Sequence, residues 1–445
     1  VKLMPKSAFQ LILLIVLGVV AVAAVLMFAG ILPGGSQFLT KNSVTVTLWG
    51  TKMNDQLSTF LQTFNEANKD TVKIQYIVKD PATYEDDLIE AFTQGGGPDL
   101  FFVNEEALYK FENKISVLPY TSYSLRDFKN TFITGADIYT IDQGILGIPI
   151  FVDPLVMYIN KDIYDNASLA IYPKTWGDFI NLPKYLTKLD KDNNIIQSAV
   201  AFGSPNNTLN TKAILSMLTI QAGSPIVERN GNSYAVRMSG KNQTDSNPLD
   251  TATTYFLQFS DPTKATYSWN RSQPEAEDSF LSGNLASYFG LASELSDLKS
   301  KNPHLNFDIT TVPQKNTLSN VTFGRIHALV VGKNSSHPTD AWQVALKLAT
   351  GDTGDQFIRA YDRVPASRSL LAAGDLDPYR AVFYKAAIGT HSWVDPDSVK
   401  STTIFQNMLD SIALGQVSAG EAYSEASGQL SNLFTNNAGG RRTNQ

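Results

Sequence analysis

Strand and helix patterns alternate early in this chain. Residues 44–50 begin by alternating aliphatic side chains with threonine, which predicts a strand, and residues 57–64 carry apolar side chains three and four positions apart, which predicts a helix. The same pair of patterns recurs at residues 71–79 and 84–92, and a third strand pattern follows at residues 98–104. Strands that alternate with helices form a mainly parallel sheet covered by helices. The sequence therefore predicts an α/β fold.

The strand ends of such a sheet are where ligand contacts are expected. In open α/β sheets, ligands bind in the crevice beyond the carboxyl ends of the strands. The residues at the ends of the first and third predicted strands are Trp49, Gly50, Thr51, Asn104, Glu105 and Glu106. We therefore predict that these six residues contact a ligand. For Trp49, the alternative is that its ring covers the hydrophobic core.

Length and composition exclude several classes of protein. The chain has 445 residues, which is too long for a single hydrophobic core. This length predicts two lobes. A formal net charge of -6, with no cluster of Lys and Arg, argues against a nucleic-acid partner. The absence of cysteine excludes disulfides, thiolate chemistry and a lipid-modified cysteine in this sequence, so an anchor would have to be the polypeptide itself.

Catalytic and metal-binding motifs are also lacking. The four histidines are scattered without metal-ligand spacing, and neither a nucleophile elbow nor a phosphate-binding loop is present. A glycosidase would need only two suitably spaced carboxyl groups, which Asp153, Glu105 and Glu106 could supply. We nevertheless expect no catalysis, no metal site and no cofactor.

An apolar segment, residues 11–32, lies near the start of the sequence. It reaches the roughly 20 residues that span a hydrocarbon core, which predicts a transmembrane helix. Lys2 and Lys6 precede it and favour a cytoplasmic location for residues 1–10, with the rest of the chain outside. Residues 33–43 then form a linker. A cleaved signal sequence is the alternative, although its apolar core would usually be shorter.

A long β-branched and aromatic run, residues 147–166, is interrupted by Pro149, Asp153 and Pro154. Proline fixes φ and removes a backbone hydrogen-bond donor. Prolines therefore belong where a strand leaves one sheet and enters another, and not in the middle of a sheet.

The order of several motifs resembles the extracellular solute-binding proteins of family 1, which are the substrate receptors of ATP-binding-cassette importers. The motifs are VTLWG at 46–50, GGGPDLFFVN at 95–104, GILGIPIFVDPLVMYINKDIY at 144–164, PKTWGDF at 173–179, SFLSGNLASYFG at 279–290, DITTVPQ at 308–314, the segment 327–357 and RVPASRSL at 363–370. The resemblance covers nearly all of residues 44–434. It rests on the order and spacing of the motifs, since no single motif is diagnostic.

This resemblance implies a two-lobed periplasmic-binding-protein-like fold of type II, in which each lobe is a mainly parallel sheet flanked by helices and a hinge joins the lobes. It places residues 44–150 and 309–362 in the first lobe and residues 151–308 and 363–435 in the second, with residues 436–445 as a flexible tail. The run that contains Pro149 and Pro154 would then be the crossing between the lobes.

The resemblance also implies ligand contacts in the cleft between the lobes. Asp153, in the crossing strand, would accept paired hydrogen bonds from sugar hydroxyls or hold one cationic group, although capping the strand or holding the hinge is its alternative role. Flat aromatic faces can stack on sugar rings. The further predicted contacts are Asn206, Asn207, Trp269, Phe289, Gly290 and Trp393. Asn206 and Asn207 would equally suit an ordinary turn, and one of the aromatic residues is expected to lie in the core.

The function implied by the resemblance is that of an extracytoplasmic receptor, most simply a monomer, on the outer side of the cytoplasmic membrane. It would capture a sugar or oligosaccharide by hinge closure and deliver it to the permease subunits of an importer. One alternative is a membrane-anchored surface receptor or sensor without transport, and another is a binder of polyamines or other small solutes. An anionic ligand would need cleft arginines, for which Arg126 and Arg271 are the sequence candidates.

Overall fold

The computed structural model describes residues 43–231, 233–238, 240 and 247–442, with side chains described up to residue 435. Within these ranges, no helix is long and apolar enough to cross a membrane. The predicted transmembrane helix at residues 11–32 lies outside the described residues, as do residues 1–10 and the linker up to residue 42.

The strands are numbered here in chain order. They are β1 (Val44–Gly50), β2 (Val72–Val78), β3 (Leu100–Val103), β4 (Leu118–Pro119), β5 (Thr140–Ile141), β6 (Gly144–Ile145), β7 (Ile148–Asn160), β8 (Lys188–Leu189), β9 (Ile195–Val200), β10 (Val227–Asn230), β11 (Ser233–Val236), β12 (Leu285–Leu291), β13 (Phe307–Thr311), β14 (Thr322–Val331), β15 (Val364–Pro365) and β16 (Thr390–His391).

The helices follow the same convention. They are α1 (Asp55–Ala67), α2 (Tyr84–Thr93), α3 (Glu105–Phe111), α4 (Leu125–Thr131), α5 (Lys161–Asn166), α6 (Trp176–Phe179), α7 (Pro183–Leu186), α8 (Thr211–Gln221), α9 (Pro248–Leu257), α10 (Ala276–Leu281), α11 (Leu295–Lys301), α12 (Pro338–Ala349), α13 (Gly351–Tyr361), α14 (Arg368–Ala373), α15 (Pro378–Ile388), α16 (Ser398–Ala413) and α17 (Ala419–Arg442). Short 3-10 turns cover Glu112–Lys114, Thr134–Tyr139, Gln258–Ser260 and Ala292–Glu294.

The main sheet runs through both lobes in the order β2-β1-β3-β14-β7-β12-β9-β8, and β13 and β15 also pair with β7 while β16 pairs with β14. In the first lobe β1 is parallel to β2 and β3, and in the second lobe β12 is parallel to β9, as the alternation of strands and helices predicts. The long strands β7 and β14 are antiparallel to each other and connect the lobes. The sheet is therefore continuous through the hinge.

Strand β7 crosses from one lobe to the other without a break. Its 13 residues are all buried, and residues up to Pro154 pair with β14 while Leu155 and later residues pair with β12. Each proline pairs with β14 at a position where the partner strand is unusual. Pro149 lies at a register shift in the pairing with β14, and Pro154 pairs with Gly324, where a Cβ atom would come within 2.6 Å of the Asp153 carbonyl oxygen.

Strand β13 pairs with the later part of β7, where Ile309 and Thr310 lie opposite Tyr158 and Met157. The same part of β7 also pairs with β12. The predicted lobe boundaries, including the one between residues 308 and 309, stay predictions.

Helix α1 illustrates how the sequence pattern becomes packing. The Asn54 side chain accepts a hydrogen bond from the Leu57 backbone N–H and so caps the helix. The apolar residues at three- and four-residue spacing are all buried, namely Leu57, Phe60, Leu61 and Phe64. Burial of each such side chain contributes about 1.5–3 kcal/mol, so this face holds the helix against the first-lobe sheet and fixes the position of the β1 carboxyl end.

Candidate functional site

Three connected cavities lie along the cleft between the lobes. The aromatic cavity, of about 210 Å³, is lined by Thr51, Tyr84, Glu85, Phe102, Val103, Asn104, Ala107, Phe111, Phe151, His327, Tyr361 and Arg363. The hinge cavity, of about 250 Å³, is lined by Val152, Asp153, Ala292, Ser293, Leu295, Ser296, Lys299, Asp362, Arg363, Val364, Asp377, Arg380 and Phe383. The mouth cavity, of about 750 Å³, is lined by Glu85, Ile89, Thr93, Asn104, Glu106, Tyr109, Lys110, Asn113, Lys114, Pro396, Asp397, Ser398 and Val399.

Shared wall residues join the three cavities into one groove. Arg363 lines both the aromatic and the hinge cavity. Glu85 and Asn104 line both the aromatic and the mouth cavity. The groove begins at the carboxyl end of β3 and continues along the crossing strand β7, which is where an α/β sheet offers ligand contacts.

One wall of the aromatic cavity is a stack of rings. The Phe102 and Phe151 ring centroids lie 5.7 Å apart at an interplanar angle of 19°, and the Phe151 and Tyr361 centroids lie 4.8 Å apart at 28°. The Tyr361 hydroxyl lies 3.0 Å from the Tyr76 hydroxyl, which itself donates to the Lys52 carbonyl oxygen. The rings are thus held in place from behind. Phe151 and Tyr361 are only 3% and 6% exposed, so the half-buried Phe102 ring offers most of the apolar surface at this wall.

Asp153 is the carboxylate of the hinge cavity. It is buried, and its two carboxylate oxygens accept hydrogen bonds from the Ser293 backbone N–H at 2.8 Å and from the Ser293 hydroxyl at 2.7 Å. Burial raises the pKa of Asp153 above its ordinary value, while the Ser293 bonds and the nearby cations Arg325 and Arg363 act in the opposite direction. Since Ser293 follows β12 in the second lobe, Asp153 links the crossing strand to that lobe.

Two further carboxyl groups begin helix α3. Glu105 is buried, and its Oε2 accepts a hydrogen bond from the Ile326 backbone N–H at 3.0 Å. Burial, together with the neighbouring carboxylate of Glu106, raises the pKa of Glu105 to about 8. Glu106 instead faces cations, with its Oε2 3.9 Å from an Arg325 guanidinium nitrogen. The two adjacent carboxyl groups therefore lie in different surroundings, Glu105 in the interior and Glu106 beside cations.

Side chains from the two lobes meet across the groove. Lys212 Nζ, at the start of α8 in the second lobe, donates to Glu106 Oε1 at 3.1 Å and to Asp395 Oδ2 at 2.7 Å. Nearer the outer edge, Arg229 Nη1 of β10 donates to Glu112 Oε1 at 2.8 Å. These ion pairs hold the lobes together in the conformation described.

Four predicted contact residues line the groove. Thr51 and Asn104 line the aromatic cavity, Glu106 lines the mouth cavity and Asp153 lines the hinge cavity. The Asn104 side chain also accepts from the Ala107 backbone N–H and caps α3. Thr51, Asn104 and Glu106 follow the carboxyl ends of β1 and β3, whereas Asp153 lies within the crossing strand β7.

Trp49, Gly50 and Glu105 lie beside the groove without lining any of its three cavities. Trp49 is half-buried, and Lys79 Nζ covers its ring at 3.9 Å from the centroid. Gly50 is packed so closely that a Cβ atom would lie 2.1 Å from the Tyr76 hydroxyl. The structure thus supports the alternative reading of Trp49, in which the ring covers the core.

The predicted contacts Asn207 and Trp269 form a hydrogen-bonded pair inside the second lobe. Trp269 is fully buried, and its Nε1 donates to Asn207 Oδ1 at 2.9 Å. The Asn207 amide donates to the carbonyl oxygens of Asn270 and Gln273. Asn206 is exposed, and its amide donates to Asp410 on α16. The Asn207 amide thus forms its hydrogen bonds with neighbouring residues and holds this loop in place. None of the three residues lines the groove.

Phe289, Gly290 and Trp393 are also packed into the second lobe. Phe289 belongs to a buried cluster of rings, with its centroid 4.9 Å from that of Phe202. At Gly290, a Cβ atom would lie 2.6 Å from Glu294 Oε2. Trp393 is only 2% exposed, and its Nε1 donates to Ser216 Oγ at 3.0 Å. These three residues line none of the three cavities, and their contact with a ligand stays a prediction.

Several residues of the groove were not anticipated from the sequence. They are Tyr84, Phe102, Phe151, Lys212, Ser293, Arg325, His327, Tyr361 and Arg363. The sequence candidate Arg271 instead pairs with Asp410, and exposed Arg126 lines none of the three cavities. A polar residue interrupting an apolar strand, as Arg325 and His327 interrupt β14, is the one signal that could have indicated part of this set.

Most charged groups of the groove are paired with protein partners, among them Glu85 with Lys110 and Asp362 with Arg380. Among the residues that the structure describes, no group of three or more His, Asp or Glu side chains could hold a metal ion. The groove combines an aromatic wall, carboxylates and guanidinium groups, which together suit a small ligand rich in hydrogen-bonding groups.

Comparisons with known proteins give one family and one fold. The profile of a family described as bacterial extracellular solute-binding protein matches residues 59–382. A binding protein of Brucella abortus (strain 2308) is 20% identical over 329 residues, which cover 72% of this chain and 76% of that protein.

Solved structures with sugar ligands or sugar-binding names share the fold. The sugar-binding protein MalE from Xanthomonas citri superposes with a TM-score of 0.71 and 16% identity, over 90% of this chain and 100% of that chain. A cyclo/maltodextrin-binding protein complexed with maltotetraose superposes with a TM-score of 0.70 and 15% identity, over 87% of this chain and 96% of that chain. The likeness at these identities establishes the α/β solute-binding-protein fold.

Proposed function

Because the chain belongs to the bacterial extracellular solute-binding protein family, we propose that it is the extracytoplasmic substrate receptor of an ATP-binding-cassette importer. In this proposal it captures a sugar or oligosaccharide between its two lobes and delivers it to the permease subunits in the membrane. Members of the family are substrate-binding proteins and not enzymes, so the chain is a binding protein.

The observation that carries the carbohydrate assignment is the groove with its stacked aromatic wall. The Phe102, Phe151 and Tyr361 rings form an apolar wall beside the polar groups of the same cavity, which include Thr51, Asn104 and Arg363. A saccharide has the complementary character, because the C–H faces of its rings are apolar and its rim carries hydroxyls. Three cavities in series provide more room than a single sugar ring requires, which favours an oligosaccharide.

Hinge closure is the proposed mechanism of capture. Contacts such as Glu106 to Lys212 require that the lobes approach each other, so they belong to the closed state alone. A ligand that touches both lobes shifts the open–closed equilibrium by its difference in affinity for the two states. The shared strands β7 and β14 would bend where Asp153 pairs with Arg325, at the junction of the lobes.

The proposed location is the outer side of the cytoplasmic membrane, with the apolar segment 11–32 as a transmembrane anchor. An anchor would keep the receptor close to a permease and raise its effective concentration there. A surface receptor without transport would use the same fold and anchor. Co-purification of the full chain with permease subunits from the native membrane separates the two roles.

A thermal-shift screen of the full chain tests the ligand class. The panel would contain neutral mono- and oligosaccharides, acidic saccharides, polyamines and amino acids. A ligand at about 100 times its dissociation constant stabilises the folded state by about 2.7 kcal/mol, which is measurable in a protein of this size. We expect stabilisation by a saccharide. Stabilisation by polyamines alone would retain the receptor class and reject the carbohydrate.

A further inference from the structure

The guanidinium group of Arg363 occupies a special position in the groove. Arg363 follows α13 and lines both the aromatic cavity and the hinge cavity. The one hydrogen bond formed by its guanidinium goes from Nη1 to the carbonyl oxygen of the adjacent residue Asp362, at 3.0 Å. Among the described residues, no carboxylate pairs with Arg363 and no ring stacks on it.

The other charged side chains that line these two cavities are already engaged. Glu85 pairs with Lys110 at 2.9 Å, and Asp362 pairs with Arg380 at 3.0 Å. The remaining engaged groups are Asp153, which accepts from Ser293, Asp377, which caps α15, and Lys299, whose Nζ lies 4.5 Å from the centroid of the Tyr379 ring. Arg363 therefore contributes guanidinium N–H donors that no described carboxylate accepts, although Asp153 lines the same hinge cavity.

Two further basic groups lie near Arg363. The His327 side chain lines the aromatic cavity and makes no hydrogen bond with the described residues. Burial together with Arg325 and Arg363 lowers the pKa of His327 to about 3, so its ring is neutral at physiological pH. Lys52, which donates to the Tyr361 carbonyl oxygen at 2.8 Å, has a pKa lowered by burial and by Arg363. Neither group adds a cation to the lining of this cavity, where the charged side chains are Arg363 and Glu85.

We propose, as an extension of the function proposed above, that the captured saccharide carries an acidic group, a sugar carboxylate or a phosphate ester, and that this group pairs with Arg363. The planar guanidinium fork matches both anions, since each presents two oxygens at the spacing of two N–H donors. The ring that bears the acid then stacks on the wall formed by Phe102, Phe151 and Tyr361. A neutral saccharide would leave Arg363 partly desolvated in the closed cleft without a charged acceptor for its free N–H groups.

Isothermal titration calorimetry on the full chain with matched pairs of saccharides tests this proposal. One pair is trigalacturonate and its fully methyl-esterified form, and the other is glucose 6-phosphate and glucose, with inorganic phosphate alone as the control for the anion. We expect the acidic member of at least one pair to bind about 30-fold tighter than its neutral partner, and Arg363→Gln to abolish that preference. Arg126→Gln, which removes an exposed arginine outside the groove, should leave it intact.

The outcomes separate the two proposals. If neutral saccharides of the panel bind and acidic ones bind no better, or if Arg363→Gln keeps the preference, the acidic ligand is rejected and the carbohydrate receptor stands. If no saccharide of either class binds, both proposals fail. The two pairs also distinguish a carboxylate from a phosphate ester. An unchanged melting temperature of Arg363→Gln would confirm that the loss arises from binding, because the side chain makes one hydrogen bond to the part of the chain that the structure describes.

Discussion

The Nζ atom of Lys212 in the second lobe lies 3.1 Å from Oε1 of Glu106 in the first lobe. The same Nζ lies 2.7 Å from Asp395 Oδ2, and the Lys212 side chain is only 13% exposed. The attraction of both carboxylates outweighs the effect of burial, and the pKa of Lys212 is raised. Glu106 therefore forms an ion pair with a residue of the second lobe.

Substitution of Glu106 should weaken the closed state. Glu106→Gln removes the charge and keeps the shape, and we expect the closed form to lose about 1 kcal/mol relative to the open form, or about fivefold in population. The chain has no cysteine, so spin labels at Lys69→Cys and Asp278→Cys, one on each lobe, report the interlobe distance by pulsed electron paramagnetic resonance. The mean distance in the absence of ligand should increase.

A matched control removes an ion pair within one lobe. Asp87→Asn breaks the Lys79–Asp87 pair, which is also partly buried and has a distance of 2.9 Å. Its label distance should equal that of the parent chain. An equal increase in both variants would show that the change does not arise from the interlobe contact.

The raised pKa of Glu105 predicts a pH dependence of stability. Its folded-state pKa is about 8, against an ordinary value of 4.5. Between these values the folded protein retains a proton that the unfolded chain has released, so the stability contribution of this group falls as pH rises from about 4.5 to 8. The slope for one proton is at most about 1.4 kcal/mol per pH unit.

Glu105→Gln should remove this contribution to the slope. The amide oxygen can still accept from the Ile326 backbone N–H, and the side chain no longer titrates. Free energies of unfolding from urea titrations at pH 5, 6, 7 and 8 should therefore favour the variant increasingly at high pH. The exposed Glu66→Gln provides the comparison. Parallel curves for Glu105→Gln and the parent chain would contradict a raised pKa.

The fold was predictable because its determinants are local. Apolar residues at helical spacing in α1 and alternation in β1 specify elements whose order requires a parallel sheet. Pro149 and Pro154 indicated the crossing strand, because proline lacks the backbone N–H that the middle of a regular sheet requires. Cavity-lining residues were predictable only at the carboxyl ends of parallel strands, as for Thr51 and Asn104, because such ends meet at one edge of the sheet.

The side-chain composition of the groove depends on segments far apart in the sequence. Arg325, Arg363 and Lys212 come from β14, the turn after α13 and α8, and nothing local indicates that they converge. The sequence alone does not distinguish an aromatic residue of the core from one that contacts a ligand, because it does not reveal which side of a helix or strand faces the core. Trp269 and Trp393 are large enough to fill either environment, and the interior of the second lobe uses both.

Trp393 provides a test that separates a core residue from a ligand contact. Its ring stacks on Phe405, with centroids 6.1 Å apart, and its Nε1 donates to Ser216 Oγ. Trp393→Phe loses this hydrogen bond and part of the ring volume, so we expect a stability loss of about 1–3 kcal/mol by urea denaturation. The affinity of the folded variant for the saccharide that the parent chain binds should change by less than about twofold.

The partner substitution Ser216→Ala leaves the Trp393 N–H without its acceptor and should cost about 1–2 kcal/mol, again with unchanged affinity. A large loss of affinity in Trp393→Phe with unchanged stability would place the ring in the groove after all, against its 2% exposure.

Substitution of Gly50 should change both the stability of the fold and ligand affinity, because Gly50 packs against Tyr76 and Tyr361. A Cβ atom at this position would lie 2.1 Å from the Tyr76 hydroxyl and 3.0 Å from the Tyr361 hydroxyl, and those two hydroxyls are hydrogen-bonded to each other. Gly50→Ala must displace Tyr76, and Tyr361 with it, so we expect a loss of about 1–3 kcal/mol in stability. Because Tyr361 forms part of the aromatic wall, the variant should also bind its saccharide several-fold more weakly, as measured by calorimetry.

The matched control is Gly177→Ala, where the nearest atom would be Thr175 Oγ1 at 3.6 Å, an ordinary contact that requires no movement. Lost stability with unchanged affinity in Gly50→Ala would show that the ligand does not touch the wall to which Tyr361 belongs.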